Sequence, residues 1–299
     1  MGTFLSPFMA AIAQKQLGVL AVMVYQDGAL IDEARIAPDV PHNLYSFTKS
    51  FTSTAVGMAI DEGRLRLEDR VCDLLGEYLP AHPDPKLERL QLRHLLTMAS
   101  GHDQSYLLSH QRAKLKDGWI AHYLSQSLPY EPGDRFNYDS GDTYLAGCML
   151  RRATGQTVRE YLTGRLFEPL GIRVAHWEVA PCGNQFGGGG LWLRTRDAAK
   201  LPLLYLNQGQ WQGRQLVSAA YVARASAKQI DTFNPGDGGF GYGFQFWRGS
   251  HNSYRADGAY SQLGIVLPEK RAVVMINSLE KKNGQGILDT VWEEILPRL

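Results

Sequence analysis

A chain of 299 residues with 44% apolar and 20% charged side chains has ordinary globular composition and is long enough for one large core or two layered subdomains. Its formal net charge of +1 gives no electrostatic footprint for nucleic acid or an anionic membrane, and no stretch reaches the roughly 18 consecutive apolar residues of a membrane span. Cys72, Cys148 and Cys182 are widely spaced and outside any C-x-x-C pattern, which excludes a disulfide framework or a zinc site and leaves free thiols.

The first fifteen residues lack the pattern of a secretory signal, so a cytoplasmic location is expected. Residues 4–16 read as a short amphipathic helix, and residues 18–37 as a β-hairpin turning at Asp27-Gly28. From Tyr45 to Gly63, apolar Phe47, Phe51, Ala55, Met58 and Ala59 recur at helical spacing, with Gly63 suited to the C-terminal cap. Prolines at 80, 83 and 85 mark a connector, and residues 87–102 read as a helix stopping near Ser100-Gly101. Helices are expected at 119–128, 141–154 (with Gly155 as its stop) and 157–167. Glycines 187–190 mark a tight segment, Thr195 caps a helix to about Asn207, and 218–228 forms another helix. Residues 242–247, 262–267 and 272–277 read as strands, and 287–299 as a closing helix.

Strands thus lie at both chain ends and helices between them. The simplest assembly is an α+β fold. One antiparallel sheet, built from both chain ends (1–44 and 186–299) and flanked by terminal helices, carries an inserted mainly helical domain (45–185). The helix beginning at Tyr45 then falls at the seam, where clefts form.

Ser46 stands at the N-terminal end of that helix and Lys49 follows three residues on, so the hydroxyl and the amine are neighbours on one face. The helix N-terminus favours an oxyanion at Ser46, and an amine is able to accept the hydroxyl proton. The bland alternative is a serine N-cap, and a second S-x-x-K, Ser278 to Lys281, ends an apolar run without opening a helix. Tyr138 follows a Pro-Gly turn just before a helix. Its phenol acts as a base only where a cation such as Lys49 lowers its pKa; otherwise it is a packed aromatic. G-x-S-x-G, G-x-x-x-x-G-K-[ST] and H-E-x-x-H are absent, and the eight histidines show no ligand spacing, so no metal or cofactor is expected. The G-x-G-x-x-G at Gly236, Gly238 and Gly241 leads into a strand-like run rather than a helix and carries no nucleotide reading.

Taken together, SFTKSFTSTAVGMAIDEGRLRLED, LRHLLTMASGH, PGDRFNYDSGDTYLAGCMLRRATGQTVREYL, FEPLGI, GGGGLWLRTRDAAKLPLLYLNQGQW, YGFQFW and DGAYSQLGIVLPEKRAVVMIN resemble, in order, the class C β-lactamase family in its broad sense. That group includes serine D,D-peptidases, family VIII carboxylesterases and 6-aminohexanoate-dimer hydrolases. The resemblance implies a β-lactamase/transpeptidase-like fold, with Ser46 as nucleophile, Lys49 as its S-x-x-K partner and Tyr138 as the tyrosine of the Y-x-N or Y-x-S motif. It places the third motif, K-T-G or H-x-G, at Ala256-Asp257-Gly258, and an oxyanion hole at the N–H groups of Ser46 and Ala259.

Two departures bear on the substrate. Ala256 stands where the motif has Lys or His, which argues against good β-lactam turnover, and Arg255 is expected on the opposite sheet face. Ser140 replaces the Asn that contacts a substrate amide, and Tyr260 either lines the pocket or is structural. Gly258 and Ser140 complete the expected substrate contacts, with pocket walls drawn from loops 102–116 and 182–190. The expectation is a serine hydrolase of a small-molecule ester, amide or β-lactam-like substrate, with either Lys49 or Tyr138 as base. The alternatives are a β-lactamase or D-alanyl-D-alanine carboxypeptidase, or a slow-acylating penicillin-binding module.

Overall fold

The computed structural model describes residues 2–115 and 118–299. Its main sheet has six antiparallel strands: β1 (Val19–Gln26), β2 (Ala29–Arg35), β3 (Trp247–Arg248), β4 (Tyr254–Gly258), β5 (Gln262–Leu267) and β6 (Ala272–Ser278). Their order is β2-β1-β6-β5-β4-β3, so the N-terminal hairpin pairs with strands from the far end of the chain. Asp27 and Gly28 both have left-handed backbone (φ 52° and 81°), the geometry of a two-residue hairpin turn.

The central strands bury both faces, with alternate residues entering different cores. Val22 and Val24 of β1, Ile265 of β5 and Val274 and Ile276 of β6 join Phe8 and Ile12 of the helix Ser6–Gln14, Ile287 of the helix Gly284–Thr290 and Val291 of the π-helical turn Val291–Ile295 that follows it. Met23, Val273 and Met275 face the larger core shared with the helical middle of the chain. The expected α+β architecture is present, with the sheet drawn from both ends.

Several elements differ from expectation. Residues 87–102 do not form one helix: the turn Pro85–Arg89 and the helix Leu92–Leu96 are separated at extended Gln91, which bridges to Arg70. The helix at Trp119 ends at Leu124. Thr195 is the first helical residue rather than the cap, and its N–H donates to Asp39 Oδ1 (3.0 Å). Residues 242–246 are not a strand. Gly241 (φ 113°) and Gln245 (φ 66°) curl the segment over the helical core, and only Trp247 and Arg248 reach the sheet. No helix among the described residues is long and apolar enough to cross a membrane.

Candidate active site

Ser46 lies in a single 3₁₀ turn (Tyr45–Phe47) that runs directly into the helix Thr48–Asp61. Its side chain caps no helical N–H, so the N-cap alternative is not realised. Glu62 ends the helix with Gly63 left-handed beyond it, and Arg64 N–H returns to Ala59 O (2.8 Å), as a Schellman cap requires.

Lys49 is almost fully buried, at 1% exposure. Its Nζ lies 2.9 Å from Ser46 Oγ, 2.9 Å from Ser140 Oγ and 2.6 Å from Gly188 O. Ser140 opens the helix Ser140–Thr154, and Asp139 caps it by accepting from Gly141 N–H (2.8 Å). Gly188 is required for its approach: a Cβ there would lie 2.8 Å from Ser140 O. The glycine run therefore supplies a carbonyl to the amine. Burial lowers the Lys49 pKa to about 7; Asp139 and, more weakly, Asp142 oppose that shift, and Arg112 reinforces it.

Tyr138 lies beside Lys49, whose Nζ sits 4.9 Å from the ring centroid. The phenol is pushed well above its ordinary value, first by burial. The neighbouring Ser46 hydroxyl works against that shift and the Asp257 carboxylate adds to it. The condition under which the Tyr138 phenol would act as a base, a pKa lowered by Lys49, is therefore not met. Burial thus moves the Lys49 amine down towards neutral pH and the Tyr138 phenol up, away from it.

Ser46, Tyr138, Gly258 and Ala259 line one cavity of about 480 Å³ together with Asn234, Trp247, Arg255 and Asp257. Gly258 allows β4 to meet the Ser46 turn, since a Cβ there would lie 2.2 Å from Leu44 O and 3.1 Å from Phe47 N. Ala256 is buried in the larger core, so Arg255 does lie on the opposite face, yet it lines the cavity as well. Tyr260 is not among the cavity-lining residues; its ring packs edge-on against Tyr45 at 5.0 Å. Both tyrosines have left-handed backbone (φ 62° and 48°). From loop 102–116, Ser105 Oγ donates to Tyr138 O (3.0 Å); Lys116 lies outside the described residues.

Two charged groupings were not visible in residue spacing. Arg255 donates from Nη1 to Asp237 Oδ2 (3.0 Å) and from Nε to Asp257 Oδ2 (2.8 Å). Behind the site, buried His102, Asp139 and Asp142 bring possible ligand atoms within 4.8 Å of one another, although sequence spacing showed no such set. Tyr123 joins them: its hydroxyl is 2.9 Å from His102 Nδ1 and donates to Asp142 Oδ1. Burial raises the pKa of both carboxyls and lowers that of His102 to about 4.

The sequence profile of the Beta-lactamase family matches residues 5–290. Among curated proteins, the chain is 25% identical over 153 residues to Protein flp of Staphylococcus aureus, covering 50% of this chain and 30% of that one. It is 27% identical over 150 residues to the lovastatin esterase of Penicillium rubens, covering 43% and 37% respectively. The chain thus spans well under half the length of these relatives. A solved penicillin-binding protein homologue from Caulobacter crescentus superposes with a TM-score of 0.77 at 14% identity, over 99% of both chains, which is a likeness of fold. With the profile matched over nearly its whole length, the chain belongs to the β-lactamase family.

Proposed function

We propose that the protein is a serine hydrolase that forms an acyl-enzyme on a small ester or amide. The observation that carries this reading is the buried Lys49 amine, 2.9 Å from Ser46 Oγ at the floor of an open cavity. A neutral amine has two N–H donors and one lone pair. With Gly188 O and Ser140 Oγ taking the two donors, the lone pair faces the Ser46 hydroxyl.

In the proposed reaction, Ser46 Oγ bonds to the substrate carbonyl carbon as its proton passes to Lys49 Nζ. The oxyanion meets the N–H groups of Ser46 and Ala259 at the helix N-terminus. Collapse breaks the bond to the leaving group, which takes a proton from the Tyr138 hydroxyl, and the Lys49 ammonium restores that proton. Water then repeats the sequence on the acyl-enzyme. Ser140 orients the amine, Gly258 lets the strand approach, and Tyr260 holds the turn after Ala259 through Tyr45.

β-Lactams and D-alanyl peptides carry a carboxylate, and the lining cation Arg255 is already paired with two carboxylates. Benzylpenicillin turnover is therefore expected to be at least about a hundredfold poorer than that of an uncharged ester. The deciding experiment is hydrolysis of p-nitrophenyl butyrate by wild type and Ser46→Ala. The reading requires turnover that disappears in the variant, with an acyl adduct on the wild-type protein by mass spectrometry; equal rates in both proteins would refute it.

A further inference from the structure

We propose that the cavity beside Ser46 selects substrates bearing a positively charged group, and that Asp257 is the residue that selects them. This deepens the hydrolase reading and rests on it.

The inference starts from the alternation of β4. With Ala256 turned into the core, its two neighbours Arg255 and Asp257 face the cavity. Arg255 is held between two carboxylates, so the three groups together carry one negative charge in excess. The excess is not evenly displayed. The side chains of Arg255 and Asp237 are 6% and 4% exposed, whereas that of Asp257 is 27% exposed. Asp237 is also used on both oxygens, Oδ2 by Arg255 and Oδ1 by Ser250 N–H (3.0 Å). Asp257 gives only Oδ2 to Arg255, and its Oδ1 takes no hydrogen bond from a described residue. The negative charge is therefore presented to the cavity by Asp257.

The remaining wall suits the same ligand. Trp247 stacks on Tyr138 at 5.4 Å and 27°, and both line the cavity, giving it an aromatic wall of the kind that attracts cations. Asn234, Pro235 and Gly238 add no charge. Lys49, the other nearby cation, lies beneath the cavity beside the Tyr138 ring and is neutral in the state that attacks. A quaternary or primary ammonium thus meets one accessible carboxylate and an aromatic face, while a carboxylate meets like charge.

The test uses two pairs of isosteres that place the charge on either side of the scissile bond. One is the p-nitrophenyl ester of trimethylammonio-pentanoic acid against its tert-butyl carbon analogue; the other is acetylthiocholine against neohexyl thioacetate. On at least one side, wild-type kcat/KM for the cation should exceed that of its neutral partner by about tenfold. The p-nitrophenyl monoester of adipic acid should fall below both acyl analogues. The ratio of cation to neutral should collapse towards one in Asp257→Asn and persist in Asp257→Glu. In the wild type it should shrink as salt is raised, a readout that needs no variant. Neutral or anionic members turned over as well as the cations on both sides would overturn the inference and leave the hydrolase reading standing. Absence of Ser46-dependent turnover of every compound would remove both.

Discussion

Lys49 has exchanged solvent for three hydrogen-bond partners, and the burial that brings its pKa to about 7 suits the amine to the part of base in the proposed reaction. Because its amine must be neutral to take the Ser46 proton, kcat/KM is expected to rise as pH increases through about 7 and to level off above it. Lys49→Met should lower kcat about a thousandfold, whereas Tyr138→Phe should lower it about a hundredfold and leave the acid limb in place. Full activity in Tyr138→Phe would exclude its part in proton transfer. The Asp139–Asp142 pair bears on stability instead. A carboxyl whose folded pKa lies above its unfolded value makes the protein lose stability as pH rises beyond the unfolded value. Asp142→Asn removes that loss, so its melting temperature relative to wild type should be higher at pH 8 than at pH 5. The proximity of Ser46 to Lys49 was legible in sequence, since three residues along a helix is a fixed geometry. The His102–Tyr123–Asp142 grouping was not, because it joins separate loops and helices.

Among the elements, β4 and the curled segment before β3 do most to set the site. Gly258 lets the strand rest on the Ser46 turn. In Gly258→Ala the added methyl meets Leu44 O, and the strand that gives way is expected to carry the Ala259 N–H from its proposed oxyanion position. A fall in kcat of about a hundredfold with little change in KM is expected from steady-state kinetics. Gln245 ties the curl down. Its Nε2 donates to Leu95 O and Leu96 O, its Oε1 accepts from Thr143 Oγ1 (2.7 Å), and its own carbonyl accepts from Ser50 Oγ (2.7 Å). Gln245→Ala leaves several of these buried groups unpaired and should cost about 3 kcal/mol in urea unfolding. The segment YGFQFW misled the pattern reading for a physical reason. Its Tyr, Phe and Phe are buried as alternation implies, but positive φ at Gly241 and Gln245 achieves that burial without a ladder. The hairpin at Asp27-Gly28, the helix ending at Gly155 and strands β5 and β6 were legible because turn chemistry, capping and apolar periodicity agreed in each. Arg255 was misjudged only in what its face meets, since no local pattern announces Asp237 as its partner.

Across the whole molecule, the sheet closes by pairing β1 with β6, and the terminal helices cover the face that this pairing creates. Removing residues 284–299 should therefore expose Val22, Val24 and Ile276 and give a protein that binds a hydrophobic dye and melts without a cooperative transition. The same closure has a temporal side. Ser46 is made early in synthesis, whereas Gly258, the last residue of β4, and Ala259 just beyond it line the same cavity from a sheet that is completed by the pairing of β6 with β1. A nascent chain still held by the ribosome at β6 carries Ser46 and Lys49 but has not yet seated Gly258 and Ala259 beside them.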